Sequence, residues 1–449
     1  MRITPLDRWT AKRISSGCRA TQLSLKDLQS YQLERLKHTI SYSSSSSAFY
    51  KKAFSCFNIE SFNLLRDISR LPFTTSHDLE EHNSQFLCVS QSLVERVFTP
   101  LTSTLSSNAR RIYFSGNDME RIIDFFHHGM TTFTAANQNV MIMMPGERPD
   151  SIGDLLTRSL ERIPATGWVY DLVRDPVHAM SEISRNEPDV IVGIPANILS
   201  LVRHGVGSGI HSNSVKSVLL TSDYITPTVL TSIERQWECR VFGHYGSTEM
   251  GFLGGLECEA RSGYHLTESD LYFEIADPAT GEILEPGCMG EVVFTTLNRE
   301  AMPLIRYKTS DLSRIVPGIC QCGSELRRLE KIRARVNDII KLGKNHWLGI
   351  YELDDSILGL DEVIDYRAIL SNGDNSDQLD FMVELKEGAD KSVLQEVRLR
   401  LLDNSSVSNA VVDGVLSLGS VYAGAVDKPV STAIKRAIQD VRRDSGTSK

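Results

Sequence analysis

The segment FGHYGSTEMG at 242–251 follows an apolar run and places an aromatic ring, hydroxyls and a carboxylate within a few residues. The ring of Tyr245 can stack on a base, and the hydroxyl of Thr248 can bond a phosphate. The carboxylate of Glu249 can hold Mg²⁺ beside phosphates. The pattern therefore indicates a nucleotide site, although a β-turn with incidental polar residues fits the same letters.

A second candidate is Asp311, in PLIRYKTSDLSRI at 303–315. An acidic residue at the end of a strand can accept both hydroxyls of a ribose, as it does in dinucleotide-binding folds. Taken by itself, Asp311 fits a turn or a helix cap better than a ribose contact. The segment RARVNDIIKLGK at 333–344 joins a basic cluster to a glycine turn, and its alternative interpretation is a solvated charged helix.

Four residues could hold a metal ion. LECEARSGYHL contains Cys258 and His265, and GICQCGS contains Cys320 and Cys322. Three thiols and an imidazole suit a closed tetrahedral zinc site, although the spacing is not that of a zinc finger. The pattern predicts structural zinc, with unligated residues as the alternative.

The elements that must position these residues follow from hydrophobic periodicity. From 112 to about 300, buried apolar runs alternate with amphipathic stretches, which predicts parallel sheets covered by helices. The predicted strands are 140–147, 188–195, 215–222 and 239–246, and the predicted helices are 117–130, 151–163 and 226–237. After 263 the pattern becomes antiparallel, and the last hundred or so residues form a small α+β unit with a helix at 390–402.

The bulk composition bounds the functional class. At 449 residues, with 41% hydrophobic and 23% charged residues, the chain is expected to form two or three globular domains. A net charge of −9 without a basic block argues against nucleic acid as a partner. No signal-peptide core and no run of about eighteen apolar residues is present, so no membrane span is expected and the cytoplasm is the predicted compartment.

Taken in order and at these separations, the motifs resemble those of the adenylate-forming superfamily of acyl-CoA synthetases, and within it the phenylacetate–coenzyme A ligase-like branch. SRLPFTTSHDLEEH at 69–82 and DFFHHGM at 124–130 are also similar to that branch. The resemblance runs from about residue 28 to 345. It implies a large α/β N-terminal domain with a small antiparallel barrel-like part at 1–335, and a small mobile α+β domain at 336–449.

The resemblance implies a role for each matched position. Tyr245 and Gly246 would contact adenine, Thr248 the AMP phosphate, and Glu249 Mg²⁺. Asp311 and Arg335 would bind the ribose, and Asn337 stands at the family's hinge. Lys341 and Gly343 would lie in the loop that is brought toward coenzyme A. Members of the branch often carry a Cys/His set similar to the four residues described above.

Three parts of the ATP-handling machinery depart from the family. TSTLSSNARR at 102–111 stands in place of a glycine-rich phosphate loop; Thr102 and Ser103 match its opening, and Arg110 is a cationic substitute for the missing lysine. Glycine serves there because such a loop needs positive φ angles. Ser222 lies where the family has a glycine-rich turn against adenine. Near the C-terminus, Lys428 and Lys435 are the candidates for the adenylation lysine, without the family's Gly-Lys pair.

Two functions follow. The first is ATP-dependent adenylation of a carboxylic acid, an aromatic one by analogy with the branch, and transfer of the acyl group to coenzyme A. The second is a diverged non-ligase on the same scaffold, either a pseudoenzyme or an acyl-binding or acyl-transfer protein, which the altered phosphate loop favours. Pocket walls are expected from 125–130, 193–198 and 221–224. Similar proteins are often dimers, so a homodimer is one expected assembly.

Overall fold

The computed structural model describes residues 4–15, 23–99, 110–208, 214–426 and 436–442. The chain divides into two compact units. The first is drawn from Met1–Asp171 and Phe242–Ile332, and the second from Leu172–Val241 and Arg333–Lys449. The domain boundary predicted at 335/336 remains a prediction.

The helices of the first unit are α1 to α6, and those of the second are α7 to α12. They are α1 Pro5–Ile14, α2 Leu25–Ser46, α3 Ala48–Ala53, α4 Ser76–His82, α5 Gly116–Met130, α6 Ile152–Leu160, α7 Pro176–Asn186, α8 Pro195–Ser208, α9 Pro227–Trp237, α10 Ile350–Ile357, α11 Val393–Asp403 and α12 Ser405–Val412. Each helix predicted from the periodicity is present, with its ends within a few residues of the expected positions.

The strands include every run that the sequence marked as buried. They are β1 Val94–Phe98, β2 Ile112–Ser115, β3 Asn139–Met143, β4 Thr166–Val169, β5 Val190–Gly193, β6 Ser217–Leu220, β7 Arg240–Tyr245, β8 Gly255–Glu257, β9 Tyr264–Leu266, β10 Leu271–Ala276, β11 Gly290–Thr296, β12 Tyr307–Ser313, β13 Ile315–Val316, β14 Arg328–Leu329, β15 Ala334–Arg335, β16 Ile340–Leu342, β17 His346–Leu348, β18 Val363–Asn372, β19 Asp377–Leu385, β20 Leu416–Ala423 and β21 Gln439–Asp440.

In the first unit, β3 and β4 pair in parallel, whereas the later strands are antiparallel. β8 joins β7 to β9, and β14 joins β9 to β13. β11 lies between β10 and β12 in a separate antiparallel sheet. The antiparallel pairing predicted after residue 263 is therefore confirmed, and it begins earlier than predicted, where β7 pairs with β8 at Tyr245 and Gly255.

In the second unit, β5 and β6 pair in parallel, and β16 and β17 form a hairpin. β18 and β19 are antiparallel, and they are flanked by β21 and β20 in parallel pairing. With α10 to α12 these strands form the α+β arrangement expected for the C-terminal part. The fold is mixed α/β, as predicted.

Local capping explains where the elements begin. Ser115 caps α5, since its hydroxyl accepts from the Asp118 amide at 3.1 Å while the Asp118 carboxylate accepts from the Ser115 amide at 3.0 Å. The serine run at 43–47 is the last turn of α2 followed by the cap of α3, because the Ser47 hydroxyl accepts from the Tyr50 amide at 3.2 Å.

Candidate functional site

The turn that follows β7 carries the polar residues of FGHYGSTEMG. The amide of Gly251 donates to the carbonyl of Thr248 at 2.9 Å, and the amide of Phe252 donates to the carbonyl of Ser247 at 2.8 Å. The Ser247 hydroxyl accepts from the Met250 amide at 3.3 Å. Thr248 and Glu249 are thus held in a defined turn directly after the buried ring of Tyr245.

At two positions of this turn, neighbouring atoms lie too close to leave room for a side chain, so glycine is required. A Cβ on Gly246 would lie 2.7 Å from the carbonyl oxygen of Phe252. Gly251 has a φ of +66°, and a Cβ there would lie 2.5 Å from Nη2 of Arg299. Larger side chains at either position would force the turn to change its path.

Tyr245 and Asp311 meet, although 303–315 is distant in the chain from the turn. The phenol of Tyr245 donates to Oδ2 of Asp311 at 2.8 Å. Asp311 lies on β12 and is 2% exposed. Tyr245 and Asp311, which are predicted to contact adenine and ribose, are therefore hydrogen-bonded to each other within the first unit.

Glu249 is buried and lies beside a cation. Its Oε1 is 3.3 Å from Nη1 of Arg110, whose Nε is 3.5 Å from Oε1 of Glu80. Arg110 belongs to the segment 102–111 that stands in place of the glycine-rich loop. Its guanidinium thus lies beside Glu249, the predicted magnesium ligand.

Arg299 is a residue of this site that the sequence analysis missed. It is buried, its Nη1 donates to the carbonyl of Glu249 at 2.8 Å, and its guanidinium lies over the ring of Phe114, 4.6 Å from the ring centroid. Burial lowers the pKa of Arg299 to about 10, so the group keeps its charge at neutral pH. An arginine inside the apolar stretch before 303–315 was the signal that could have identified it.

No family model matches the chain. The phenylacetate–coenzyme A ligase of Pseudomonas putida is 26% identical over 405 residues, covering 86% of this chain and 90% of the relative. The phenylacetate–coenzyme A ligase of Escherichia coli (strain K12) is also 26% identical, over 376 residues, covering 82% and 84%. The chain is a homologue of the phenylacetate–coenzyme A ligases. The resemblance noted in the motifs is confirmed.

A solved structure of a 2-hydroxyisobutyryl-CoA ligase in the postadenylation state, in complex with 2-HIB-AMP, has the same fold. It is 17% identical, has a TM-score of 0.78, and matches 96% of this chain and 94% of its own. The mixed α/β fold with its C-terminal α+β part is thereby that of an acyl-CoA ligase.

In this homologue of the phenylacetate–coenzyme A ligases, the four predicted zinc ligands come together. Their ligand atoms all lie within 4.8 Å of one another: Cys258, His265, Cys320 and Cys322. The two thiols Cys258 and Cys320 are 3.7 Å apart, and the Cys322 sulfur is 3.4 Å from Nε2 of His265. Zn–S bonds of about 2.3 Å in tetrahedral geometry require sulfurs about 3.8 Å apart. The cluster therefore fits zinc in both donor type and spacing.

Burial also shifts the pKa values of the side chains in the cluster. It raises the pKa of Cys258, and it raises the pKa of Cys322 to about 12. It lowers the pKa of His265, so the imidazole is held in its neutral form. Neutral imidazole is the form that ligates metals.

The remaining predicted residues fall into two groups. Ser222, Arg335, Lys341 and Gly343 lie in the second unit; Ser222 has a φ of 74°, and Gly343 has a φ of 56° in the turn between β16 and β17. Thr102, Ser103, Lys428 and Lys435 lie outside the described residues. Their predicted roles are therefore not tested by the structure.

His244, on the strand before the turn, has the surroundings of a structural residue. His244 is buried, and its Nε2 donates to the carbonyl of Phe252 at 2.9 Å. Burial lowers the pKa of His244 to about 4, so it is neutral at physiological pH. The ring of His244 packs 5.9 Å from that of Phe125 on α5, and it thus fixes the helix that follows the phosphate-loop region.

A small cleft of about 30 Å³ lies in the first unit beside Arg299. Its lining includes Phe114, Arg121, Met250 and Leu253. None of the residues expected as substrate walls, at 125–130, 193–198 and 221–224, belongs to this lining. The predicted acid pocket remains a prediction.

Proposed function

We propose that the protein is an ATP-dependent acid–coenzyme A ligase. The observation that carries the proposal is the grouping of Tyr245, Glu249 and Asp311 in one unit of a chain that is homologous to phenylacetate–coenzyme A ligases over most of its length. Each of these residues has the chemical character that its proposed contact with a nucleotide requires.

The nucleotide would bind along the turn after β7. The Tyr245 ring supplies an aromatic face for adenine, and the buried carboxylate of Asp311 supplies the acceptor for ribose hydroxyls. Thr248 donates to the α-phosphate, while Arg110 supplies positive charge near the phosphates. Bound Mg²⁺ would be held by Glu249 and would neutralise phosphate charge, since this ion is usually held by one or two carboxylates together with substrate phosphates.

The reaction has two transfers. In the first, an oxygen of the acid attacks the α-phosphorus, the bond to the β-phosphate oxygen breaks, and pyrophosphate leaves. In the second, the thiol sulfur of coenzyme A attacks the acyl carbon, the thiol proton is released, and AMP leaves. The protein's contribution is to hold the reacting groups in line and to stabilise the negative charge that develops at phosphorus.

The acid is proposed to be an arylacetic acid. This rests on the names of the relatives, which are phenylacetate–coenzyme A ligases and, over a shorter stretch of 157 residues, an indoleacetate–lysine synthetase of Pseudomonas savastanoi. Coenzyme A is the proposed acceptor because the longer matches are coenzyme A ligases.

ATP–pyrophosphate exchange in the presence of a panel of aryl and alkyl acids tests the proposal. Glu249→Gln is expected to lower exchange by about 100-fold or more, as removal of one preorganised electrostatic group does at other sites. Glu80→Gln is the matched control, because Glu80 also pairs with Arg110 but is not a proposed nucleotide contact. Exchange in Glu249→Gln equal to that of Glu80→Gln would contradict the site.

Calorimetry with Mg-ATP separates the ligase from a scaffold that has lost adenylation. Binding of Mg-ATP with an affinity that falls in Glu249→Gln is the expected result. Absence of Mg-ATP binding by a folded protein would instead favour the diverged non-ligase.

We further propose that Cys258, His265, Cys320 and Cys322 hold a structural zinc ion, supported by the donor set and spacing of the cluster. One zinc per chain is expected by elemental analysis, and Cys322→Ser is expected to lose the ion and to unfold at lower temperature. Cys239→Ser, at a buried cysteine outside the cluster, should retain the zinc. Equal metal content in the two variants would contradict the assignment.

Several further expectations from the sequence concern the membrane, the location of the protein, its assembly and its domain motion. No helix in the part of the chain that the structure describes is long and apolar enough to cross a membrane. The homodimer, the hinge at Asn337 and the lysine that would serve adenylation are proposed on the resemblance alone, whereas the cytoplasmic location is proposed on the sequence features described above.

A further inference from the structure

The strand that carries Asp311 contains a bulge. β11 and β12 pair in antiparallel register on both sides of Val292. The three residues 309–311 of β12 stand opposite this one residue of β11, so β12 bulges here and Asp311 is the last residue of the bulge. Bulges of this kind re-aim a side chain and are over-represented next to active sites.

Two side chains bond the backbone of this bulge. The hydroxyl of Thr309 donates to the carbonyl of Val292 at 2.8 Å and accepts from the amide of Asp311 at 3.0 Å. Oε1 of Glu291 accepts from the amide of Ser310 at 2.9 Å. Backbone groups that lose their partners in the strand ladder are thereby bonded to side chains instead.

Glu291 is itself held in place. It is buried on β11, and its Oε2 lies 2.8 Å from Nζ of Lys308. The ammonium group of Lys308 in turn lies over the ring of Phe73, 5.3 Å from the ring centroid. A buried carboxylate requires such a partner, and the pair fixes the oxygen that accepts from the Ser310 amide.

The bulge determines the direction of the Asp311 side chain. Ser310 has a φ of 65°, which is outside the strand conformation. Successive side chains of a regular strand point to opposite faces, so a residue rotated out of this conformation changes the direction in which the next side chain leaves the strand. That next side chain is the carboxylate of Asp311, which accepts from the phenol of Tyr245 at 2.8 Å. Its position therefore depends on the bulge as well as on Tyr245.

We propose that Glu291 and Thr309 are positioning residues of the nucleotide site, which hold the bulge that aims the Asp311 carboxylate at the hydroxyls of the ribose. They act on the nucleotide only through Asp311. The inference rests on the proposed function, in which Asp311 accepts from the ribose. A carboxylate aimed in this way selects for the hydroxyls, because a nucleotide without the 2′-hydroxyl removes a donor from a charged acceptor.

The preference of the protein for Mg-ATP over Mg-2′-deoxyATP, measured by calorimetry, tests this role. In wild type, the dissociation constant of the deoxynucleotide is expected to be about tenfold higher or more, since a hydrogen bond to a charged group is lost. In Glu291→Ala this ratio is expected to fall below about threefold, because Asp311 loses its orientation and its bond to the 2′-hydroxyl. Glu291→Gln keeps an acceptor for the Ser310 amide and should retain most of the preference.

Glu274→Ala is the matched control. Glu274 is also buried in this sheet, on β10, but its carboxylate pairs with Arg306. Both alanine variants are expected to unfold at a lower temperature than wild type, and only Glu291→Ala should lose the preference for ATP. A ratio in folded Glu291→Ala equal to that in Glu274→Ala would overturn the inference.

A second pair of variants tests the bulge independently of whether Glu291→Ala folds. Thr309→Val removes the hydroxyl that bonds Val292 and Asp311, whereas Thr309→Ser retains it. Thr309→Val is expected to lower the ratio, and Thr309→Ser should leave it near that of wild type. Wild-type ratios in both variants would overturn the inference while leaving the proposed function intact. Binding of neither nucleotide by folded wild-type protein would instead contradict the proposed function, and the inference with it.

Discussion

Ser222 and Ser310 have positive φ angles, of 74° and 65°. Ser310 directly precedes Asp311, and its amide donates to Oε1 of Glu291 at 2.9 Å, which holds the backbone in this conformation. A residue other than glycine in this region stores about 1–3 kcal/mol of strain, and such strain is concentrated at functional sites. Ser222 itself stands at a predicted adenine contact, and Ser310 neighbours Asp311, for which a ribose contact is predicted.

Ser310→Gly is expected to raise the free energy of unfolding by about 0.5–1 kcal/mol. Relief of the strain exceeds the additional backbone entropy that glycine loses on folding. Denaturant unfolding measures the change. Ser30→Gly, at an exposed position of α2, should be destabilising by a similar amount, and a loss of stability in Ser310→Gly as large as in Ser30→Gly would contradict the strain.

At the scale of residues, chemistry could be predicted where residue type alone restricts it. Cysteine, histidine and the aromatic–acid combination of 242–251 are informative by type, and the structure brings the four cysteine and histidine side chains together. Arg299 was not found because its significance depends on burial, which arises from packing. The positive φ of Ser310 was also not predictable, since serine adopts it only when distant contacts require it.

At the scale of elements, buried Arg306 joins the segments 69–82 and 303–315 and forms an ion pair with Glu274 on β10. Arg306 donates to both carboxylate oxygens of Glu274 at 3.1 Å, and its Nη1 donates to the carbonyls of Ser69 and Leu71 at 2.9 and 2.6 Å. Its guanidinium lies 4.0 Å from the ring centroid of Phe73. The N-terminal segment is thereby fixed against the strand that carries Asp311.

Arg306→Met is expected to lower the free energy of unfolding by about 3–5 kcal/mol, because it leaves the carboxylate of Glu274 buried without its partner. The double variant Arg306→Met with Glu274→Leu should recover much of that loss. Arg314→Met is the control, since the pair of Arg314 with Glu330 is partly exposed and is expected to contribute at most about 1 kcal/mol. Equal losses in Arg306→Met and Arg314→Met, measured by urea unfolding, would contradict this role.

The periodic elements were predictable, whereas the charged segment 333–344 was not. Its alternative interpretation as a solvated helix is wrong, because its regular structure is the two short strands β15 and β16. Just before this segment, two further charged residues form ion pairs: Arg327 with Glu268 at 2.6 Å and Lys331 with Glu257 at 3.2 Å. Tertiary pairing of this kind overrides local helix propensity. The spacing of charged residues in the sequence therefore could not exclude the solvated helix.

At the scale of the whole molecule, the second unit combines helices α8 and α9 with the C-terminal elements. Buried Arg203 donates to the carbonyls of Val363 and Leu358. The hydroxyl of Thr228 donates to Oδ1 of Asp355 at 2.6 Å. If residues 336–449 swing about Asn337 between the two transfers, these contacts must break in one of the two steps.

A disulfide between Thr228→Cys and Asp355→Cys tests that motion, because the side-chain atoms at these positions are already in contact. The oxidised double variant is expected to retain one transfer and lose the other, with recovery on reduction. ATP–pyrophosphate exchange and thioester formation are assayed separately, and the two single variants control for the substitutions. Both transfers at normal rates in the oxidised protein would exclude a swing at this contact.

The close approach of Gly251 to Nη2 of Arg299 also bears on how this sequence can evolve. While the arginine is present, a side chain at this position meets the guanidinium in addition to the strain of the positive φ, and loss of the arginine removes the first of these two constraints. The two positions are therefore expected to covary among descendants of this gene, with epistasis between them even though they are far apart in the chain.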